Sequence, residues 1–540
     1  MGVSLDVTPE SALDHETRDA APAADVASSA AENVAPTATE APPPSRRGFL
    51  AAAAALALTG GRAVEAQSVR PATPRPGGRG LSAALARPAG PPDLSTQWTD
   101  PVARLVRRIT LGITREELAR AKQLGYSRYL EEQLRPARID DRACSEFVAR
   151  TYPMLAMTPE QLFRGDQGAA MTQLQEATLY RAAFSRRQLH ERMVEFWTDH
   201  FNIWRDAVGY LKVIDDRDVI RAHALGNFRN LLRASAHSAA MMDYLDQNRS
   251  SRRSPNQNYA REIMELHSVG VDGGYTQDDV AELSRVFTGW TISGRGIFTY
   301  DASLHDFGAK TVMGQSFPAT TPGPGLAGKA EGERFIEFLA AHPNTARYLA
   351  KKLAKFFLQY DPGQAIIDAA AAAFTRSRGD IPSILRVILD QRVLMAAPAK
   401  YKRPFHFVVA ATRSLAPAVT GVGLMRQQVD QMGQSLFAWE TPDGYPDKLE
   451  FWSGLVMQRW NAATALSFAN SAAFRVDPAG FRGATAEATA ETIIARIFGG
   501  EVPPGFRTRL TDYVRPALAS DTRIREAVAL ALSSSQFQWY

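Results

Sequence analysis

The sharpest cluster of side chains that could carry chemistry lies in residues 256–267 (NQNYAREIMELH). If this segment is helical, Asn258, Arg261, Glu262 and Glu265 share one face, because residues three or four apart are neighbours on a helix. Two carboxylates one turn apart can share a divalent cation, or one can act as a general acid and the other as a general base. The alternative is a solvated face on which Arg261 and Glu265 form a weak ion pair.

Two histidines fall on apolar helix faces. His267 lies opposite the carboxylates, where a hydrogen-bonded core histidine is the usual occupant. His200 ends an apolar stripe formed by Leu189, Met193 and Trp197. A histidine in that position can bind a metal while a carboxylate or carbonyl holds its second nitrogen, and simple burial is the alternative.

A third candidate group, His305, Asp306 and Lys310, lies in a segment that predicts a loop. Adjacent His and Asp with a nearby Lys could bind a metal or an anionic group, and loops on a rigid scaffold often carry function. A turn stabilised by Asp306 explains the same residues without a ligand.

Several common sites are excluded by the sequence. There is no G-x-S-x-G elbow, Walker A loop, H-E-x-x-H or C-x-x-C-H motif. Residues 271–279 (VDGGYTQDD) resemble a calcium loop only superficially, because Ser268 and Gly270 occupy the positions of the first two acidic ligands. The single cysteine, Cys144, excludes an internal disulfide and any site that needs several thiolates.

The elements that must position these residues are mostly helices. The helical period dominates from Trp98 onward, and Thr114 with Glu117 and Thr276 with Asp279 predict N-terminal helix caps. The cluster at 258–269 predicts a helix that Gly270 ends. Short alternation predicts strands only at 291–300 and 311–313. We therefore expect a mainly α fold, with one large multi-helix core, a small β hairpin and long Gly/Pro-rich loops at 289–328 and 439–452.

The N-terminal region predicts export. Residues 45–50 (SRRGFL) precede an alanine-rich apolar run at 51–58 and small residues before Gln67, which is typical of a twin-arginine signal cleaved after Ala66. The run is too short to span a bilayer as a helix. Residues 67–97 are rich in Pro, Gly and Arg and predict a flexible linker. We expect a signal with its extension at 1–66, a linker at 67–97 and one helical domain at 98–540, in a periplasmic or extracellular location.

Charge gives a weak indication of the ligand. The whole chain carries a formal charge of +5, and residues 1–66 hold four basic and nine acidic residues, so the remainder carries about +10. This balance favours an anionic ligand or surface. The basic residues are scattered along the chain, which argues against a nucleic-acid partner. The mature sequence predicts no transmembrane segment.

Ordered motifs in the chain resemble a bacterial family known as domain of unknown function 1800. They are residues 196–202 (FWTDHFN), 256–270, 274–280 (GYTQDDV), 288–290 (TGW), His305-Asp306 with Lys310, 342–347 and 442–447 (PDGYPD). The resemblance runs from about Asp100 to the C-terminus. Gln257 departs from the family pattern, which usually has Glu there and would supply one more carboxylate.

The resemblance implies a helical, often exported protein, and it supplies no settled activity. Members of the family are often encoded beside a second exported family, domain of unknown function 1501, which resembles the alkaline phosphatase and sulfatase fold. The resemblance therefore implies a sulfatase-like partner or a shared pathway. Its motifs are rich in Asn, Arg, Glu, His and Asp, which favours a site over simple packing.

Two functional hypotheses follow. The first is an extracytoplasmic hydrolase or transferase that acts on an envelope or extracellular polymer and uses a divalent metal as its candidate cofactor. Its catalytic residues would be Arg261, Glu262, His267 and Lys310, and its metal ligands would be His200, Glu265, His305 and Asp306. The second is a non-catalytic binding or assembly partner of the sulfatase-like protein, in which the same motifs form buried hydrogen-bond networks.

Overall fold

Helices make up most of the chain in the computed structural model, which describes residues 98–321 and 326–540. The strands in these residues form only two-stranded antiparallel sheets, so the predicted mainly α class is confirmed. The predicted signal at 1–66 and linker at 67–97 lie outside the described residues, as does part of the predicted loop, 322–325.

The described residues contain 25 α-helices. In chain order they are α1 (Pro101–Ile109), α2 (Arg115–Leu124), α3 (Tyr126–Gln133), α4 (Arg142–Thr151), α5 (Pro159–Arg164), α6 (Gln167–Phe184), α7 (Gln188–His200), α8 (Arg205–Val208), α9 (Leu211–Asp215), α10 (Phe228–Ala236), α11 (Ala239–Tyr244), α12 (Gln257–Glu265), α13 (Gln277–Val286), α14 (Ala327–Ala341), α15 (Pro343–Phe357), α16 (Gln364–Arg376), α17 (Ile381–Ile388), α18 (Gln391–Ala396), α19 (Pro404–Leu415), α20 (Gly423–Gln431), α21 (Leu449–Trp452), α22 (Val456–Ser467), α23 (Ala486–Phe498), α24 (Pro504–Val514) and α25 (Asp521–Ser533).

The strands of the described residues form three small antiparallel pairs, and short 3-10 helices and one π-helical segment (Asp216–Arg221) lie between the other elements. The first is the predicted hairpin, with β1 (Trp290–Ser293) paired to β2 (Ile297–Tyr300). The second, β3 (Lys310–Val312) with β4 (Gln315–Phe317), follows in the same connection between α13 and α14. The third joins two residues of β5 (Ala418–Val419) to β6 (Phe474–Arg475).

All described residues belong to one compact unit, within which the apolar core has two large parts. The first part gathers buried residues between Ala103 and Ala397. The second combines α4 and part of α6 with helices from α19 to α25. Leu155 and Leu436 pack against both parts. Cys144 is buried in the second part, and burial raises the pKa of its thiol to about 12, which agrees with a structural role.

Helix α15 has two distinct faces. Leu349, Leu353 and Phe357 recur every four residues and are fully buried in the first part of the core. Lys351 and Lys355 lie on the opposite side and are exposed or half-buried. Because one regular helix carries both sets, core packing fixes the position of its cations.

One predicted boundary is wrong. The helix expected at 258–269 ends at Glu265, four residues early. The amide of His267 donates to the carbonyl of Glu262, and the amide of Gly270 donates to the carbonyl of Met264, so the chain leaves the helix in a tight turn. This turn, rather than a further helical turn, carries His267.

In the part of the chain that the structure describes, no helix is both long enough and apolar enough to cross a membrane.

The two faces of α15 predict opposite effects of truncation. Leu353→Ala should lower the free energy of unfolding by about 2–5 kcal/mol, because it leaves a cavity in the core. Lys351→Ala, two residues away, should change it by less than about 0.5 kcal/mol. Urea unfolding of both variants measures the difference. Equal destabilisation would contradict the assignment of the two faces.

Candidate functional site

The eight residues predicted from the sequence fall into two groups. His200, Arg261, Glu262, Glu265 and His267 lie near the end of α7 and around α12. The other three lie in the connection between α13 and α14. No hydrogen bond, ion pair or ring contact joins the two groups among residues 98–321 and 326–540. The predicted site is therefore not assembled as one constellation.

His200 is buried at the end of α7, and both of its ring nitrogens are engaged. Nε2 lies 3.2 Å from the carbonyl oxygen of His267, and a carbonyl can only accept. Nε2 therefore carries the proton, and Nδ1 accepts from the Nζ of Lys352 at 2.9 Å. Burial and the nearby positive charge of Lys352 hold the pKa of His200 well below its usual value, so the ring is neutral.

His267 contributes its backbone to this arrangement. Its carbonyl accepts from His200, while its ring is only 2% exposed and lies 5.0 Å from the ring of Phe201. Burial lowers the pKa of the His267 ring to about 3. The ring is sealed from solvent, so the backbone rather than the imidazole serves the site.

The polar face predicted on α12 is present, with different partners. Arg261 donates to the side-chain oxygen of Gln277 at 2.8 Å, so the alternative Arg261–Glu265 ion pair is not formed. Glu265 accepts from the hydroxyl of Tyr275 at 2.9 Å. Burial, followed by repulsion from Glu265, raises the pKa of Glu262. Glu262 therefore keeps its proton to a higher pH than an ordinary glutamate does.

The second group forms a closed ionic network. His305 is fully buried, and its Nδ1 lies 2.6 Å from the carbonyl oxygen of Thr288. Lys310 is 2% exposed and donates to Glu331 at 2.7 Å. Asp306 accepts from Arg285 at 2.7 Å. These contacts fasten the β-hairpin connection onto α13 and α14, in agreement with the structural role considered in the second hypothesis.

The predicted metal ligands do not form a single coordination site in the described residues. The four predicted ligands, His200, Glu265, His305 and Asp306, are divided between the two groups. In the described part of the chain, no group of three or more His, Cys, Asp or Glu side chains is arranged to hold a metal. We therefore derive the chemistry of the site from the chain's own groups.

A cleft of about 850 Å³ opens near these residues. Its walls are α15, the turn at 269–272 that follows α12, the end of α7, and the loop at 443–448. Of the eight predicted residues, His200 lines this cleft. Lys352 also lines it, so the His200–Lys352 pair lies where a ligand can reach it.

Cations concentrate along the cleft. Arg347, Lys351 and Lys355 follow one side of α15 at four-residue spacing, and Lys448 lies on the facing loop. Within the described residues, Lys351, Lys355 and Lys448 make no ion pair. Burial lowers the pKa of Lys355, Asp447 opposes that effect, and three neighbouring cations lower the pKa further: Lys351, Lys400 and Lys448. Such crowding of like charge favours an anionic ligand.

Carboxylates also line the cleft, and three of the five are already engaged. Asp199 accepts from Arg403 at 2.6 Å. Asp447 accepts from Lys400 at 2.8 Å. Asp443 accepts through Oδ1 from nearby donors in its own loop. In the part of the chain that the structure describes, Lys351, Lys355 and Lys448 therefore offer a ligand positive charge that no ion pair occupies, beside aspartates that no cation neutralises.

Lys352 is the group best suited to proton transfer. Its Nζ contacts His200 and lies 5.4 Å from the centre of the Tyr348 ring. Burial lowers the pKa of Lys352 to about 8, although the carboxylates of Asp199 and Asp443 oppose this effect. An amine with that pKa can exchange its proton close to neutral pH, as a general base must.

Two glycines allow neighbouring walls of the cleft to pack closely against one another. Gly270 has φ +85°, and a Cβ there would come within 2.8 Å of the Tyr348 ring. Gly444 has φ +75°, and a Cβ there would come within 2.1 Å of the backbone oxygen of Asp199. Any other residue would push one wall away. Asn202 adds two hydrogen bonds, to the carbonyls of Trp439 and Thr441 at 2.9 and 2.8 Å.

Sequence reasoning missed Lys352 and the cations around it. The apolar stripe of α15 was visible, and its basic residues are typical of a solvated helix face. The four-residue spacing of Arg347, Lys351 and Lys355, with Tyr348 and Lys352 beside it, was the available signal. This spacing indicates a functional site only when the fold is known to place His200 against the same face of α15.

The sequence model of the family described as "Protein of unknown function (DUF1800)" matches residues 104–539. No curated protein matches the chain significantly, and no solved structure does. The match confirms the resemblance that the ordered motifs indicated.

The burial of Lys352 predicts an unusually reactive amine. In a Lys351→Arg background, which removes the neighbouring amine, labelling of Lys352 by a limiting amine reagent should rise with a midpoint near pH 8. Free lysine titrates near pH 10.4. Mass spectrometry of the labelled peptide across pH measures this midpoint. His200→Phe removes the acceptor for the ammonium and should move the midpoint lower. A midpoint near that of free lysine would contradict the assignment.

Proposed function

Because the chain belongs to the DUF1800 family, whose description gives no reaction, we propose a function from the chain's own cleft. The protein acts outside the cytoplasm as a hydrolase or transferase on an anionic envelope or extracellular polymer. The observation that supports this most strongly is the contact between Lys352 and neutral His200 inside a cleft lined by unpaired cations. It places a group able to transfer protons beside groups able to hold an anion.

The cations of the cleft bind and orient the substrate. Arg347, Lys351, Lys355 and Lys448 attract the negative oxygens of the polymer and hold one anionic group against α15. The same charges stabilise negative charge that develops on those oxygens as the reaction proceeds. Because the core fixes α15, these groups need little rearrangement during the reaction.

Lys352 moves the proton. In its neutral form it removes a proton from the attacking hydroxyl of water or of an acceptor, whose oxygen then bonds to the acyl, phosphoryl or sulfuryl centre of the substrate. The bond from that centre to the leaving oxygen breaks, and the ammonium of Lys352 returns the proton to that oxygen. His200 stays neutral and holds the amine through Nδ1, so it is a positioning residue.

The second candidate function is a non-catalytic partner of a sulfatase-like exported protein. The network around His305, Lys310 and Glu331 supports this hypothesis, because its contacts hold the connection between α13 and α14 in place. The cationic cleft would then dock an acidic segment without any reaction. Retained binding with no chemical change in any polymer would favour this function over the first.

Export by the twin-arginine route is part of the proposal. Its support is the sequence: Arg46 and Arg47, the short apolar run at 51–58, and the small residues before Gln67. This route transports folded proteins, which suits a chain that depends on extensive tertiary contacts.

The anion-binding role predicts a charge-specific loss of affinity. Lys355→Gln should weaken binding of polyphosphate, used as a generic polyanion, by about fivefold, or roughly 1 kcal/mol. The effect should shrink as salt rises. Lys122→Gln removes the same charge from α2, away from the cleft, and serves as the matched control. Titration with the exported protein measures both. An equal loss in the two variants would contradict binding in the cleft.

Lys352→Arg separates binding from chemistry in the same assay. Arginine keeps the positive charge, but unlike Lys352 it cannot lose its proton near pH 8. Binding should persist, while any change in polymer length or substitution produced by the unaltered protein should disappear. With the unaltered protein, that change should increase as pH rises through about 8, where Lys352 loses its proton.

The export proposal predicts sensitivity to one conservative change. Arg46→Lys combined with Arg47→Lys should leave the precursor in the cytoplasm, because this route depends on the arginine pair. Fractionation followed by immunoblotting measures the distribution. Arg62→Lys, close to the predicted cleavage site, is the matched control and should be exported normally. Normal export of the double variant would contradict the proposed route.

A further inference from the structure

Aromatic side chains crowd the loop that borders the cleft at 443–448 and the short helix α21 that follows it. We call Trp439, Tyr445, Phe451 and Trp452 the aromatic rim. The Trp439 ring lies 5.0 Å from that of Tyr445 and 6.0 Å from that of Phe451. The Phe451 and Trp452 rings are 4.6 Å apart. Trp452 is buried and Trp439 and Tyr445 are partly covered, whereas Phe451 is 48% exposed.

The rim adjoins the cationic cleft directly. Tyr445 lines the cleft, and the indole of Trp439 donates to Asp443, another lining residue, at 3.0 Å. Val271, which is 67% exposed, also lines the cleft. A ligand lying in the cleft would therefore meet apolar surface as well as positive charge.

The rim is held rigidly. Trp452 donates through its indole nitrogen to the carbonyl of Pro446 at 2.7 Å, and Tyr445 donates through its hydroxyl to the carbonyl of Ser435 at 2.7 Å. Asn202 fixes the carbonyl of Trp439. On this support, Phe451 offers an exposed apolar ring against which a ligand can pack.

Carboxylates help to define the chemistry of the ligand. Asp443 uses Oδ1 for Trp439 and Thr441, and among the described residues its Oδ2 has no hydrogen bond. Asp272 and Asp361 also line the cleft. Carboxylate oxygens accept hydrogen bonds from hydroxyl groups. A ligand that carries hydroxyl groups and apolar ring faces as well as negative charge would satisfy all of these side chains.

These features together describe an acidic polysaccharide. We propose that the cleft binds a carboxylated or sulfated glycan chain, with a sugar ring stacked on the aromatic rim and its anionic group on the cations of α15. Sugar rings expose C–H groups on one face, which pack well on aromatic rings. A flat lipid surface is a poorer fit, because the cations lie inside a concave cleft. This inference rests on the proposed function, since it specifies the anionic polymer.

The test compares four polymers in one binding assay with the exported protein. Polygalacturonate supplies carboxylates, dextran sulfate supplies sulfates, polyphosphate supplies charge without sugar, and dextran supplies sugar without charge. Phe451→Ala should weaken binding of the acidic glycans about fivefold and leave polyphosphate binding unchanged. Met457→Ala removes a side chain that is 50% exposed on α22, outside the rim, and should change neither.

The outcomes separate the two proposals. Tighter binding of either acidic glycan than of polyphosphate, with the loss confined to Phe451→Ala, supports the inference and identifies the anionic group. Equal binding of glycans and polyphosphate, both unaffected by Phe451→Ala, overturns the glycan inference and leaves the anionic cleft standing. Binding to anionic lipid vesicles that depends on Phe451 overturns it in favour of a membrane. Failure of every polyanion to bind overturns the proposed function as well.

Discussion

The site depends on a chain of two hydrogen bonds that runs from backbone to imidazole to amine. The carbonyl of His267 takes the proton of His200 Nε2, which leaves Nδ1 free to accept from Lys352. A neutral imidazole in this tautomer can hold an ammonium without cancelling its charge. Because the carbonyl belongs to the turn after α12, the early end of that helix is a requirement of the site. A helix that continued to residue 269 would direct this carbonyl along its own axis.

Charge pairing keeps the walls around this unit in place. Arg403 is buried at the start of α19, and its guanidinium spans Glu195 and Asp199 on α7. Burial raises the pKa of Asp199, and Arg403 opposes that effect. Asp199 is thereby occupied by a structural cation, while Lys351 and Lys355 of α15 make no ion pair within the described residues. Which charged side chains are already in ion pairs, more than how many there are, decides the charge that the cleft offers to a ligand.

Local sequence signals predicted much of the fold and little of the site. Caps at Thr114 and Thr276 act on the next few residues, so the sequence predicted them correctly, and both are formed. The His200–Lys352 contact joins residues 152 positions apart, and neither neighbourhood indicates the other. At His305 the sequence suggested a ligand-binding residue, but the side chain is buried and hydrogen-bonded to the carbonyl of Thr288. Burial and partnership are tertiary properties, and spacing alone does not determine them.

The two faces of α15 are constrained differently during evolution, one by core packing and the other by the charge of the cleft. Substitutions at Leu349, Leu353 or Phe357 are constrained by packing. Positions 347, 351 and 355 can exchange Lys, Arg or neutral residues at small cost in stability. Relatives with the same scaffold can therefore vary the charge of the cleft along a single helical stripe, while the buried half of that helix preserves the fold.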